Sequence, residues 1–286
     1  MHGNAPPTVR IQALRNGLQP TEGRVADAIL AAPDVVVELT AQQLAERAGV
    51  ARSSVVRACQ TFGYRGYPQL RVALAAELGA GGETVVDHGE GALGRIRTAV
   101  DRAAAALPAS TSLLDDAVLE RAVGVIAGAR RLLVVANGLS SPIASDLAMR
   151  LTAAGRPAEV IADAIAQQIS ARQLHDGDVC VVVSGSGANE ASLRAAAAAV
   201  AGGAAVVAVT SFAASPLTDI ASLALVIAPA GTSFRDELEH TSRAAHALFV
   251  EALVDEVASR MPGAGRAVRA QVLEILSDNL GESASS

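Results

Sequence analysis

Two short stretches carry side chains suited to holding an anion: Ala136-Asn-Gly-Leu-Ser-Ser-Pro142 and Ser184-Gly-Ser-Gly-Ala-Asn189. Each ends an apolar run and leads into a helical pattern. Gly138 permits a tight turn, and Ser141 can cap the next helix with Pro142 in its first turn. Such a helix start offers free backbone N–H groups and the positive end of the helix dipole. Gly138, Ser140, Ser141, Ser184, Ser186, Gly187 and Asn189 are therefore the candidate residues for an anionic small molecule. Glycine, serine and asparagine are also favoured in any strand-to-helix turn, so one such loop alone is equally well explained by turn chemistry. Two in one sheet favour a ligand. Nucleotide chemistry is a poor fit: Gly185-Ser-Gly187 lacks the third glycine of a dinucleotide fingerprint. A phosphate loop of the GxxxxGK[ST] type needs lysine, and the chain has none.

A second set, Arg52, Ser53, Ser54 and Arg57, opens a helical pattern where a recognition helix meets base edges. Arginine pairs with guanine through two parallel hydrogen bonds. Arg65 and Arg71, beside Tyr64 and Tyr67, are placed to hold phosphates. The alternative for all of them is a solvated helix face.

Proton-transfer chemistry finds weaker material. Moving a proton between adjacent carbons needs a general base near neutrality, usually Glu or His. The available groups are Glu190, beside the second loop, and His175, His240 and His246. Asp236, Glu237 and Glu239 read as a charged helix start. Cys59 falls on an apolar helix face and Cys180 inside an apolar run, so both read as core. Two cysteines make neither a disulfide framework nor a Cys-rich zinc site. No catalytic residue, metal or cofactor is assigned.

The elements that must position these residues differ along the chain. The 286 residues carry a net charge of −6 with 18% charged residues and only 2% aromatics, so packing rests on Ala, Val, Leu and Ile. Such a charge alone argues against nucleic acid. It divides unevenly, however: residues 1–79 are net basic, and the remainder carries the acidic excess. Gly79-Ala-Gly-Gly82 marks the boundary. Ahead of it, Val25, Ala28 and Ile29 line one helix that Pro33 stops. Thr40-Ala-Gln-Gln43 is a capping box opening a helix with Leu44, Ala45 and Ala48 on one face. Gly49 suits the C′ position, and a second helix runs from Arg52 to about Thr61. Helix, glycine turn, helix is the spacing of a helix-turn-helix.

Beyond residue 128 the pattern changes to short apolar runs at Leu132–Ala136, Ala158–Ile161, Val179–Val183, Ala205–Val209 and Leu223–Ala228. Helical stretches at Pro142–Ala154, Ala164–Gln173 and Asn189–Ala201 separate most of them. Ser215–Ala221 is too short for more than a turn or two. This predicts a five-stranded parallel sheet covered on both faces. Glu237–Arg260 closes it with a helix. An amphipathic helix with Val268, Val272, Ile275 and Leu276 on one face precedes a polar tail. Expected divisions are 1–79, a helical linker over 80–128, an α/β domain over 129–262, and 263–286. No apolar run reaches the ~20 residues of a membrane span, and the first ten residues show no secretory h-region. The cytoplasm is the expected compartment.

On these residues the chain resembles a known family. Leu18–Leu30, Leu44-Ala-Glu-Arg-Ala-Gly-Val50, Ser54-Val-Val-Arg57 and Phe62-Gly-Tyr-Arg-Gly-Tyr67 are similar to the N-terminal domain of RpiR/MurR-type transcriptional regulators. Gly138-Leu-Ser140, Ser184-Gly-Ser-Gly187, Thr210 with Ser215-Pro-Leu217, and Ser242-Arg243 resemble the ordered motifs of the sugar isomerase (SIS) domain those regulators carry. The resemblance covers roughly residues 10–260. It implies an all-α helix-turn-helix bundle followed by a SIS-type α/β sandwich. It also implies a palindromic double-stranded DNA operator bound by a homodimer or homotetramer, and a phosphorylated-sugar effector. By position, Ser140, Ser184, Ser186 and Asn189 would hold the phosphate, while Arg52, Ser53, Ser54 and Arg57 would face DNA, with Arg65 beside them. The chain departs from the pattern at Ala136, where the family has the first glycine of a Gly-x-Gly turn. It departs also at Asn189 for threonine, Ala191 for an acidic residue, Ala51 for a serine cap and Ala58 for phenylalanine. The contrasting implication is a sugar-phosphate isomerase or a MurNAc-6-phosphate etherase-like enzyme, with Glu190 as base.

Overall fold

The computed structural model describes residues 5–80, 87–228 and 242–279. The chain forms two compact units. One is Met1–Leu114 with Ser211–Ser215 and Val226–Ala245, and the other is Asp115–Thr210 with Pro216–Leu225 and His246–Ser286.

The first unit is helical: α1 (Pro7–Leu14), α2 (Pro20–Ala31), α3 (Pro33–Val36), α4 (Ala41–Ala48), α5 (Arg52–Thr61), α6 (Tyr67–Ala80) and α7 (Ala92–Ser110). Local chemistry sets these boundaries. Gln19 and Glu22 form a capping box at the start of α2, and Thr40 with Gln43 forms the expected one on α4. Gly49 adopts φ +63°, the left-handed geometry that ends α4, and its N–H closes back onto Ala45 and Glu46. Ile11, Val25, Ile29, Leu44, Val55, Cys59, Phe62, Leu70 and Leu74 make one core. Both tyrosines belong to it. Tyr67 donates its hydroxyl to the carbonyls of Val36 (2.7 Å) and Leu39 (3.0 Å). The Tyr64 ring lies under the Arg10 guanidinium, 5.1 Å from its centroid.

The second unit begins with α8 (Asp116–Gly128), capped by Asp115, and is built on β1 (Leu132–Ala136), β2 (Glu159–Val160), β3 (Val179–Val183), β4 (Ala205–Thr210) and β5 (Leu223–Val226). The parallel sheet has the order β2-β1-β3-β4-β5, with Leu133 beside Cys180 and Cys180 beside Val206. Between the strands run α9 (Ser141–Ala153), α10 (Ala164–Arg172), α11 (Glu190–Gly202) and α12 (Pro216–Ile220). Leu133, Val135, Cys180, Val182, Val206 and Ala208 pack one face of the sheet against Ala171, Ala195, Ala196 and Ala199 of α10 and α11. Alternate residues Leu132, Val134, Val181, Val183, Val207 and Val209 are equally buried on the other face. The all-apolar central strands β1 and β3 and the alanine-faced helices follow from burial on both sides.

Two strands are shorter than their apolar runs suggest. β2 keeps only Glu159 and Val160 of Ala158–Ile161, because it is an edge strand, preceded by Pro157 and followed by the Asp163 cap of α10. β5 ends at Val226 rather than Ala228. The final helices are α13 (Ala244–Ser259) and α14 (Pro262–Asn279). Of the expected apolar face of α14, Val268 and Val272 are half-buried and Ile275 is exposed; the Leu276 side chain lies outside the described residues. The expected helix start at Glu237, with Asp236, Glu239 and His240, also lies outside them.

Candidate functional site

In the first unit, α5 turns one face inward and one outward. Val55, Ala58 and Cys59 are fully buried, whereas Arg52, Ser53, Val56, Arg57 and Gln60 are exposed. Ser54, expected to face outward with the arginines, is buried instead, and its Oγ accepts from the Arg57 guanidinium at 3.3 Å. It therefore aims an arginine rather than reaching out itself. Arg65 is exposed in the turn before α6, where its N–H donates to Gln69 (2.7 Å). Arg71 is exposed on α6, beside the buried Tyr67. The Cys59 thiol is pushed up to about 12 by burial, so it is inert core.

In the second unit, the order β2-β1-β3-β4-β5 places the chain's change of direction between β1 and β3. The loops after those two strands flank that switch point, where open α/β sheets hold ligands. They are the two loops singled out by sequence. Gly138 (φ +61°) and Gly187 (φ +63°) take left-handed turns that only glycine adopts without strain. The two loops meet directly, since the Gly185 N–H donates to Ser140 Oγ at 3.3 Å. Thr210 at the end of β4 donates to the Gly185 carbonyl (3.2 Å), and Leu217 N–H to the Gly187 carbonyl (3.0 Å). Ser140 and Ser184 are buried; Ser141, Ser186 and Asn189 are half-buried. Ser141 donates to the Ala136 carbonyl at 3.4 Å, and Ser186 Oγ accepts from Ala188 N–H at 3.3 Å. Asn189 has a structural task beside the ligand role expected from the sequence. Its Oδ1 caps α11 by accepting from the Ser192 N–H (3.1 Å) and hydroxyl (3.3 Å). The cap uses the amide oxygen and not the amide nitrogen.

Beneath these loops lies a polar clasp that sequence reasoning missed. Gln167 of α10 is fully buried. Its nitrogen donates to the carbonyls of Ala136 (3.0 Å) and Ile161 (2.7 Å), and its oxygen accepts from Asn137 (3.0 Å). Asn137 also donates to Ser192 Oγ at 3.0 Å. Asn137, Gln167, Ser192 and Asn189 thus tie the ends of β1 and β3 together without a charge. The one available signal was Asn137, a polar residue at the end of an all-apolar strand.

The proton-transfer candidates fall elsewhere. Glu190 is exposed on the first turn of α11 and paired with Arg194 at 2.9 Å. His175 precedes β3, at the opposite end of that strand from the Ser184 loop, and His246 is buried in α13. Burial pushes the Cys180 thiol up to about 12. Open clefts of 580 and 400 Å³ are lined by other residues, Asp87, Glu90, Arg95 and Arg102 in one, and Arg150, Glu251 and Leu273 in the other. They present solvated charges, with Arg150 already paired to Glu251 at 2.8 Å, rather than donors converging on a ligand.

Comparisons with known proteins agree with both units. Residues 8–81 match the helix-turn-helix domain of the rpiR family, and residues 125–251 match the SIS domain. The HTH-type transcriptional regulator HexR of Pseudomonas aeruginosa is 30% identical over 76% of this chain and 77% of its own length. Bifunctional protein glk of Paraburkholderia xenovorans is 31% identical over 88% of this chain, which spans 40% of that longer protein. Among solved structures, Vibrio vulnificus NanR complexed with ManNAc-6P superposes with a TM-score of 0.60 at 26% identity, covering 96% of this chain and all of that one. No described helix is long and apolar enough to cross a membrane. The chain belongs to the RpiR family of helix-turn-helix transcriptional regulators that carry a SIS domain.

Proposed function

We propose that this chain is a cytoplasmic repressor of sugar or amino-sugar metabolism genes, reading a palindromic operator as a homodimer and releasing it in response to a phosphorylated sugar. Residues 1–79 form the DNA-binding domain, 80–128 a linker, 129–262 the effector domain and 263–286 a terminal helix and tail. The observation that carries the reading is that one chain joins an arginine-bearing recognition helix to two hydroxyl-rich loops meeting at the switch point of a parallel sheet. NanR, similar along its whole length, is described in complex with a phosphorylated amino sugar. Arg52, Ser53, Arg57 and Arg65 contact DNA, with Ser54 orienting Arg57. Ser140, Ser141, Ser184, Ser186 and Asn189 hold the phosphate, aided by the turns at Gly138 and Gly187. A dimer reading two half-sites needs recognition helices about 34 Å apart or a multiple of it. An effector that favours another spacing releases DNA by population shift, without touching the duplex.

Two measurements test this. Affinity for the DNA upstream of the chain's own gene should exceed that for random DNA and fall steeply with salt. Equal, salt-insensitive binding to both would end the regulator reading. A hexose-phosphate and amino-sugar-phosphate panel should contain a compound that raises the melting temperature by mass action. That shift should vanish in the Ser184→Ala, Ser186→Ala double variant. A shift that survives there moves the site elsewhere.

A further inference from the structure

The outward face of α5 contains one apolar side chain in polar surroundings. Of its apolar residues, Val55, Ala58 and Cys59 are fully buried, while Val56 is 38% exposed. Ser53, Val56, Arg57 and Gln60 recur at i, i+3, i+4 and i+7, so they form one strip along the helix, with Arg52 one turn before Val56. All five are exposed, and the helix carries no carboxylate. Val56 is also a costly choice for such a position. A β-branched residue disfavours the helix, and at 38% exposure it gains only part of the burial of a core valine. Val35 and Val72 are exposed as well, but on α3 and α6, away from this strip.

A strip of guanidinium, hydroxyl, branched alkyl and carboxamide matches what base edges display in the major groove. Guanidinium suits guanine, and carboxamide suits adenine. The apolar feature there is the C5-methyl of thymine. We infer that Val56 reads a thymine methyl in each operator half-site, between the bases met by Arg52 and by Gln60. The inference rests on the DNA-binding reading and adds the base class that α5 selects at its centre. Specificity at that position is then hydrophobic, while the flanking arginines supply charge-assisted contacts.

The experiment uses the full-length chain and a duplex that it enriches from a random pool. Each thymine of that duplex is replaced singly by deoxyuridine, which removes the C5-methyl and keeps every hydrogen-bonding group. One position per half-site should weaken binding about fourfold, the cost of exposing one methyl group. Val56→Ala should bind thymine and uracil duplexes equally. Val56→Thr, which keeps one methyl, should retain part of the discrimination. Arg57→Ala should lose affinity yet keep the uracil penalty. Because Val56 is partly exposed and alanine is the better helix former, the lost burial and the gained propensity offset, and Val56→Ala should melt within a few degrees of the parent. A flat response to every uracil, or an unchanged penalty in Val56→Ala, overturns the role of Val56 while leaving DNA binding intact. Failure to enrich any duplex overturns the DNA-binding reading and this inference together.

Discussion

Helix α5 and the loops after β1 and β3 present their side chains in opposite ways. On α5 the arginines are long, charged and exposed, and the fold is secured by the other side of the helix. At the switch point the groups are short and uncharged, Ser140 and Ser184 are buried, and neighbouring side chains hold the loops in shape. Under the function proposed above, binding and stability should therefore be separable on α5 and joined in the clasp. A chain without lysine makes the contrast sharper, because arginine serves both surface and interior. Arg52 and Arg57 are exposed, whereas Arg156 is buried and donates to the carbonyls of Ile126 (2.8 Å), Ala129 (2.6 Å) and Pro157 (3.3 Å), its pKa lowered by burial.

The largest effect should come from breaking the exposed half of this comparison. Replacing Arg52 and Arg57 together by alanine should remove the two base-reading contacts proposed above, worth roughly 1–3 kcal/mol each, so affinity for the enriched duplex should fall by about a hundredfold or more. The melting temperature should fall by no more than a few degrees, since neither side chain joins the core and only the Arg57–Ser54 hydrogen bond is lost. Fluorescence anisotropy and a thermal melt on the same sample check both halves. A large loss of melting temperature would show that α5 depends on these arginines for its fold.

Next comes the clasp. Gln167→Ala removes the side-chain donor to the Ile161 carbonyl, leaves the Ala136 carbonyl with only the long side-chain contact from Ser141, and leaves Asn137 short of one acceptor. Each unsatisfied buried group costs about 1–3 kcal/mol, so the variant should lose roughly 3 kcal/mol in urea denaturation. Its response to the phosphosugar should fall along with stability, the coupling that α5 lacks. A variant with full stability and no effector response would place Gln167 in the binding site rather than beneath it.

The same comparison explains what could be read before the fold was known. The helix-turn-helix was legible because its signals are local: the Thr40–Gln43 box, Gly49 and the 3.6-residue spacing of Leu44, Ala45 and Ala48 lie within ten residues. The two loops were legible because glycine and serine at strand ends are also local marks. The clasp was not, since Asn137 meets partners 30 and 55 residues away and only the sheet order brings them together. Ser54 was misplaced outward because spacing along a helix start does not reveal that its hydroxyl turns inward to Arg57.

Asp178 tests the interior with pH. It is 3% exposed, and its carboxylate accepts from the His175 N–H (2.9 Å) and the Arg131 N–H (3.2 Å), with the Arg130 guanidinium at 3.6 Å. Desolvation pushes its pKa up, but the two backbone donors and the arginines together outweigh that and hold it below the ordinary value. A depressed folded value stabilises above the unfolded carboxylate range, near 4, and the contribution disappears as pH falls through the folded value. Asp178→Asn should therefore be less stable than the parent by about 1–3 kcal/mol at pH 7, and the gap should close as the solution is acidified below pH 4. Urea midpoints at pH 7 and pH 3 measure it. An equal gap at both would assign the cost to shape rather than charge.

The smallest effect sharpens the exposed half again. Ala51 holds the N-cap position of α5 in extended geometry (φ −73°, ψ 150°) with no side-chain oxygen to accept from the first turn. Serine there supplies that acceptor without changing the backbone, and a cap of this kind contributes about 1 kcal/mol. Ala51→Ser should raise the melting temperature by a few degrees, because a stabilisation of that size moves a small domain by roughly 4–8 °C and a larger one by less. What it does to DNA binding separates two roles for the bare helix start. If the open N–H groups serve only the helix, affinity stays unchanged and the gain is pure stability. If a DNA phosphate sits on them, the serine competes with it, and binding weakens while the protein becomes harder to melt, a trade that stability measurements alone would miss.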